Sequence, residues 1–268
     1  MTESVRYERL RPAQIRAARE ACPVAYVAIG TIEWHGPHNP VGLDTLKADA
    51  LCVRCAGRTG GLVFPPLWWG EARERCLIDS IEPFREGCAA AYGIDARLLE
   101  PGHIGFPQHA EDEHYQWLLL HMLQQMQSLG FKLGVICAGH YPLIDIARAA
   151  AIQFHQKNYH TPWERRLLPW VFTGFELVKD QFPFAGDHAA CWETSLLMAL
   201  DDGGMVDLSE CPADPKDFGH GVGGPRGPQE ASAADGERYV SAIVDRVDAE
   251  VKRRLANLPA FYPHGLVL

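Results

Sequence analysis

Within twelve residues the chain carries Glu33, His35, His38 and Asp44, in the run Glu33-Trp34-His35-Gly36-Pro37-His38-Asn39-Pro40-Val41-Gly42-Leu43-Asp44. Two carboxylates and two imidazoles this close offer hard oxygen and nitrogen donors, a set that suits zinc, manganese or a similar divalent ion better than a thiolate site would. Glu33 and His35 stand two apart, so on an extended segment they leave the same face. Spacing alone also admits a plainer reading, with Glu33 and His35 as surface residues on a loop and Asp44 capping a helix that starts near Thr45. Two further segments weigh against that: Cys137-Ala138-Gly139-His140-Tyr141, and Gly186-Asp187-His188-Ala189-Ala190-Cys191-Trp192-Glu193-Thr194-Ser195. Each sets an imidazole or a carboxylate beside an expected element boundary, so three clusters could converge on one crevice.

The elements that must position them follow from the hydrophobic pattern. Apolar, β-branched runs read as buried strands at Val24 to Ile29, Leu62 to Phe64, Gly134 to Ala138 and Trp170 to Phe175. Longer amphipathic stretches read as helices at Pro12 to Cys22, Thr45 to Arg58, Asp112 to Leu129, Leu143 to Lys157, Glu193 to Leu200 and Ala231 to Leu255. In the last of these, Tyr239, Ile243, Val247 and Val251 fall four apart and define one buried stripe. Strands alternating with helices predict an α/β fold: three layers, helices on both sides of a mainly parallel sheet. In such sheets the loops at the carboxyl ends of the strands form the binding crevice, which is where Glu33, His35 and His140 fall.

The length of 268 residues suits a single domain spanning 1–268. A net charge of −9 leaves no basic surplus for phosphates or an anionic membrane, which excludes nucleic acid and membrane surfaces as expected partners. The residues from Met1 to Arg19 lack the apolar core of a signal peptide, and no apolar run reaches membrane-spanning length, so a cytoplasmic protein is expected. Eight cysteines in a chain of this size suit reduced thiols. Cys52 and Cys55 form a C-x-x-C inside an expected helix with no second pair nearby, and are read as helix packing.

Taken together, Glu33, His35, Gly36, His38, Pro40 and Asp44, followed by Gly139-His140 and by His188 to Ser195, resemble the creatininase family in residue, spacing and order. The resemblance runs from about Val24 to about Leu255. It implies a creatininase-like fold and two divalent ions per chain (zinc, manganese or iron). Glu33, Asp44 and His140 would hold one ion; His35, Asp44 and a further carboxylate, read as Glu193, would hold the other. Asp44 would bridge, and a water of lowered pKa held there would attack a carbonyl carbon. His188 would orient the substrate or shuttle the proton, with Glu193 as its catalytic companion. One departure matters: the chain reads Gly139-His140-Tyr141-Pro142, with Pro142 where creatininase resembles a metal-binding Glu, which throws the second-ion role onto Glu193.

The implied reaction is hydrolysis of a C–N bond in a small, polar, cyclic amide-type substrate. A second reading is ring opening at a C–C bond of a cyclic ketone such as an oxidised inositol. A reading from another class is a non-catalytic relative that keeps the fold and binds a ligand or partner. His38, Trp68, Trp69, Tyr141 and Trp192 are the candidates for lining the substrate pocket, although core or interface packing suits the tryptophans equally. His103, His109, His114 and His121 are read as solvated or packed histidines, since their spacings of six, five and seven put no pair reliably on one face. His220, in the Gly-rich stretch Asp214 to Gln229, is read as turn chemistry. The family resemblance also implies a homo-oligomer, in relatives a hexamer.

Overall fold

The computed structural model describes residues 5–70, 77–101, 108–201, 204–214 and 219–261. His103 falls outside them, as does the side chain of His109. Four parallel strands, β1 (Val24–Ile29), β2 (Leu62–Val63), β3 (Leu133–Ala138) and β4 (Leu168–Phe172), form a sheet of order β2-β1-β3-β4. Seven α-helices are described: α1 (Pro12–Ala21), α2 (Leu43–Thr59), α3 (Arg85–Tyr92), α4 (Gln108–Ser128), α5 (Leu143–Lys157), α6 (Cys191–Leu200) and α7 (Ala233–Ala256).

Every residue of β1, β3 and β4 is buried, so neither face of the sheet can be left to water. Alternate residues serve opposite layers. Val24, Tyr26, Ala28, Val135, Cys137 and Phe172 pack with α2 and α7, through Ala48, Leu51, Cys52, Cys55, Tyr239, Ile243 and Val247. Ala25, Val27, Ile29, Ile136 and Val171 pack with α4 and α5, through Leu119, Leu123, Met126, Ala147, Ala150 and Phe154. The result is the expected three-layer α/β/α arrangement. Cys52 and Cys55 are free, buried thiols in the first of these layers. No helix among the described residues is long and apolar enough to cross a membrane.

Several boundaries differ from expectation for local reasons. The second strand stops at Val63 because Pro65 and Pro66 have no N–H for the ladder; contact with β1 resumes at Leu67, whose N–H donates to the Ala28 carbonyl at 3.0 Å. The fourth strand starts two residues early, with the Leu168 N–H on the Lys132 carbonyl, and turns away after Phe172, where Glu176 Oε2 takes the Thr173 N–H. Helix α2 begins at Leu43 behind Gly42, which contributes no side-chain cap. Asp44 is therefore a buried residue of the first turn, and the capping role does not apply to it.

Register decides where the chemistry lands. Val24 to Ile29 pair in step with Leu133 to Ala138, so β1 and β3 end side by side and the Gly139 N–H donates to the Ile29 carbonyl at 2.8 Å. Both strands exit through glycine, and α2 presses on both. A Cβ on Gly30 would meet Thr45 Oγ1 at 2.4 Å, and one on Gly139 would meet the Asp44 carbonyl oxygen at 2.0 Å. Only glycine admits this approach, which sets His140, one residue on, against the first turn of α2. Gly139→Ala should accordingly cost about 1–3 kcal/mol through overpacking, read as a lower urea midpoint; an unchanged midpoint would contradict this account of the junction.

Candidate metal centre

Three carboxylates and three imidazoles meet where β1 and β3 end. Glu33 lies in the loop after β1, its side chain 2 % exposed, with Oε1 accepting the Ile78 N–H at 2.7 Å and Oε2 lying 3.0 Å from His140 Nδ1. Asp44, on the first turn of α2, divides its two oxygens. Oδ2 lies 3.1 Å from His140 Nδ1, whereas Oδ1 lies 2.9 Å from Lys47 Nζ and 3.3 Å from His35 Nε2. Glu193, on the first turn of α6, contacts Lys47 Nζ through Oε1 and accepts the Ala189 N–H on Oε2 at 2.8 Å. Ligand atoms of Glu33, Asp44 and His140 lie within 4.8 Å of one another, as do those of His35, Asp44 and Glu193, and those of Glu33, His35 and His188.

Burying so much negative charge governs how the groups titrate. Burial pushes the Asp44 carboxyl up, but the charges of Lys47 and His35 outweigh it and hold the group well below the usual carboxylate range. Glu33 behaves alike, with His140 overcoming burial and lowering it. The fully buried His35 is pulled down by burial and raised further by Asp44, Glu193 and Glu33, to about 9. Its Nδ1 donates to the Glu33 carbonyl at 3.1 Å, which fixes the ring and turns Nε2 toward the carboxylates, 3.3 Å from Asp44 Oδ1. A proton or a divalent cation against Nε2 answers the same surplus of negative charge. On the cavity side, Glu33, Asp44 and His140 bring two buried carboxylates and an imidazole within 4.8 Å of one another, a donor set that fits a divalent ion.

His188 stacks on His35 with ring centroids 4.6 Å apart, and its Nε2 donates to the Trp34 carbonyl at 3.1 Å. Burial, then the His35 charge, lowers its pKa, so the ring is neutral near pH 7 with Nδ1 as its basic nitrogen. Backbone hydrogen bonds in both directions between His188 and Gly223 tie it to the Gly-rich loop.

A cavity of about 480 Å³ opens onto this cluster. Glu33, Asp44, His140, Tyr141, Asp187, His188 and Glu193 line it, with Pro142, Ile78, Gly186 and Gly223 to Pro225 completing the wall. Of the five pocket candidates only Tyr141 is among the described lining residues. His35 sits behind Asp44, fully buried. His38 is also buried, its Nε2 donating to the Ala189 carbonyl at 2.9 Å, so it steadies the turn before α6 rather than meeting a substrate. Trp192 stacks on Tyr239 in the core, at 4.5 Å between centroids. Trp68 packs over Gly42 and Trp69 is 81 % exposed. His220 is exposed, and its carbonyl accepts from Trp34 Nε1.

Two residues of the site escape sequence reasoning. Lys47 is one turn beyond Asp44, and the signal was available: position 47 shares the buried side of α2 with Leu43, Asp44, Ala48 and Leu51, where a lysine needs partners. Asp187 accepts the Trp192 and Glu193 N–H groups at 2.7 and 3.1 Å, fixing the start of α6; burial, then the Glu193 charge, pushes its carboxyl up to about 7.

The family model described as creatininase, creatinine amidohydrolase, matches residues 8–78, and solved structures match nearly the whole chain. A creatininase structure with Mn aligns over 94 % of this chain and 99 % of its own, at 21 % identity and a TM-score of 0.70. The family match is confined to residues 8–78, and the fold as a whole is that of creatininase. A mutant creatininase of Zn-Zn type aligns over the same shares, at 21 % identity and a TM-score of 0.67. Among curated proteins, 3-dehydro-scyllo-inosose hydrolase of Thermotoga maritima is 24 % identical over 227 residues, 80 % of this chain. The chain spans 62 % of that relative's length. Within the creatininase fold, Asp187 is the lever on Glu193. An amide oxygen can replace only one of its two acceptors, so Asp187→Asn should cost about 1–3 kcal/mol for the orphaned N–H; equal denaturation midpoints for variant and wild type would refute that role.

Proposed function

We propose that the chain is a metal-dependent hydrolase of a small, polar, cyclic substrate, using Glu33, Asp44 and His140 as metal ligands, with His35 and Glu193 completing the charged cluster. The observation that carries this reading is the cavity itself, which Glu33, Asp44, His140 and Glu193 line together with the neutral, half-buried imidazole of His188. Zinc, manganese or iron suits the mixed oxygen and nitrogen donors. When bound, such an ion supplies Lewis acidity and lowers the pKa of a water in the cavity.

The chain's own groups do the remaining work. His188 takes the proton from the attacking water on Nδ1 and returns it to the leaving group, a task suited to an imidazole whose other nitrogen is pinned on the Trp34 carbonyl. Glu193, held by the Ala189 N–H, fixes the far side of the cluster, and Tyr141 with the Gly223 to Pro225 segment closes the pocket around a small ring. Hydrolysis of an amide-type C–N bond is favoured by the likeness to creatininase. Ring opening of a cyclic polyol ketone is the second reading, favoured by the inosose hydrolase relative and by Pro142 in the wall where a carboxylate would otherwise reach the ion.

Both readings require that chelator-stripped protein be inactive on a panel of cyclic amides and oxidised inositols, and that zinc or manganese restore turnover. His188→Ala should retain the ion and lose about 10²–10⁴ in kcat. Turnover insensitive to chelator, or undiminished in His188→Ala, would refute the mechanism.

A further inference from the structure

Two of the three ligand triads share Asp44 but face different oxygens of it, and they do not stand alike. Glu33 Oε2 and Asp44 Oδ2 face one ring nitrogen, His140 Nδ1, at 3.0 and 3.1 Å, and this triad borders the cavity. Beside the other triad stands Lys47. Its Nζ lies 2.9 Å from Asp44 Oδ1 and in direct contact with Glu193 Oε1, so it bridges the two carboxylates of that triad. We propose that the Lys47 ammonium is the resident second cation of this centre, and that each chain therefore binds a single divalent ion, between Glu33, Asp44 and His140. The inference rests on reading the cluster as a metal centre and concerns how many ions it takes.

The ammonium has nowhere else to go. Lys47 is 5 % exposed, and the space beside it is a void of about 20 Å³ walled by Ala48, Leu51, Tyr141, Phe175, Trp192 and Leu196. Retreating there would strip a charge of its partners in apolar surroundings, which is far costlier than holding the bridge. The Tyr141 ring, its centroid 4.7 Å from Nζ, backs the charge from another side. Three residues from Asp44 on one helix, the ammonium is placed by the same turn that places the carboxylate. A divalent ion between His35, Asp44 and Glu193 would compete with it for the same oxygens and meet its repulsion. The second positive charge is thus built into the chain.

Counting ions by native mass spectrometry, after loading with excess zinc and buffer exchange, tests this without recourse to activity. Wild type should carry one ion per chain. Lys47→Met, which keeps the stem and removes the charge, should carry two, as His35, Asp44 and Glu193 become free to ligate. Glu193→Gln in the otherwise wild-type chain should still carry one, a result that does not depend on the Lys47 variant folding. Two ions in wild type, one in folded Lys47→Met, or a loss of the ion in Glu193→Gln would overturn the inference and leave the metal-centre reading standing. No ion in wild type would overturn both.

Discussion

Three carboxylates, those of Glu33, Asp44 and Glu193, are each 2 % exposed or less within one cluster, and the rest of the site is organised around that accumulation of charge. Two like charges about 4 Å apart repel by roughly 4 kcal/mol at the effective dielectric of a partly buried site. The cluster can persist only with positive charge among the carboxylates. His35 and Lys47 supply it, each within 3.3 Å of an Asp44 oxygen. A divalent ion adds to the same balance, so affinity for metal and stability of the fold are linked through one set of side chains.

The scaffold brings these groups together by close backbone approach rather than by long, flexible side chains. Gly30 and Gly139 let α2 rest on the ends of β1 and β3, which places Asp44 beside His140 although 96 residues separate them. The turn before α6 adds backbone tension: Ala189 adopts a φ of 55°, a left-handed conformation that costs roughly 1–2 kcal/mol for a residue with a side chain. In that conformation its N–H meets Glu193 Oε2 while its carbonyl receives His38 Nε2 and Thr194 Oγ1. Strain of this kind, located where a carboxylate is oriented, is characteristic of a site whose geometry matters more than local stability.

Much of this was legible in the sequence. The continuous apolar runs of β1 and β3 announce a sheet buried on both faces, and Tyr239, Ile243, Val247 and Val251 announce the helix that covers one of them. Glu33, His35 and Asp44 stand out by type and spacing, His140, His188 and Glu193 through the family resemblance, and the structure brings all six together. What local pattern could not tell was direction. His38 sits in the same motif as His35 but faces the α6 turn, because Gly36, at φ 76°, reverses the chain between them. Trp192 adjoins Glu193, yet on a helix neighbouring residues face apart, and it enters the core. The buried position of Lys47 on α2 calls for partners but does not name them. Only the approach of α6, 146 residues on, makes it part of the centre.

The most direct test is anomalous diffraction from crystals of the protein soaked with zinc, collected on both sides of the metal edge. A peak about 2.0–2.2 Å from oxygen and nitrogen atoms of Glu33, Asp44 and His140 is the result the account predicts. A fully loaded crystal with no peak in the cluster, or with peaks only at surface histidines, would contradict it and leave a fold that has kept the residues without the chemistry.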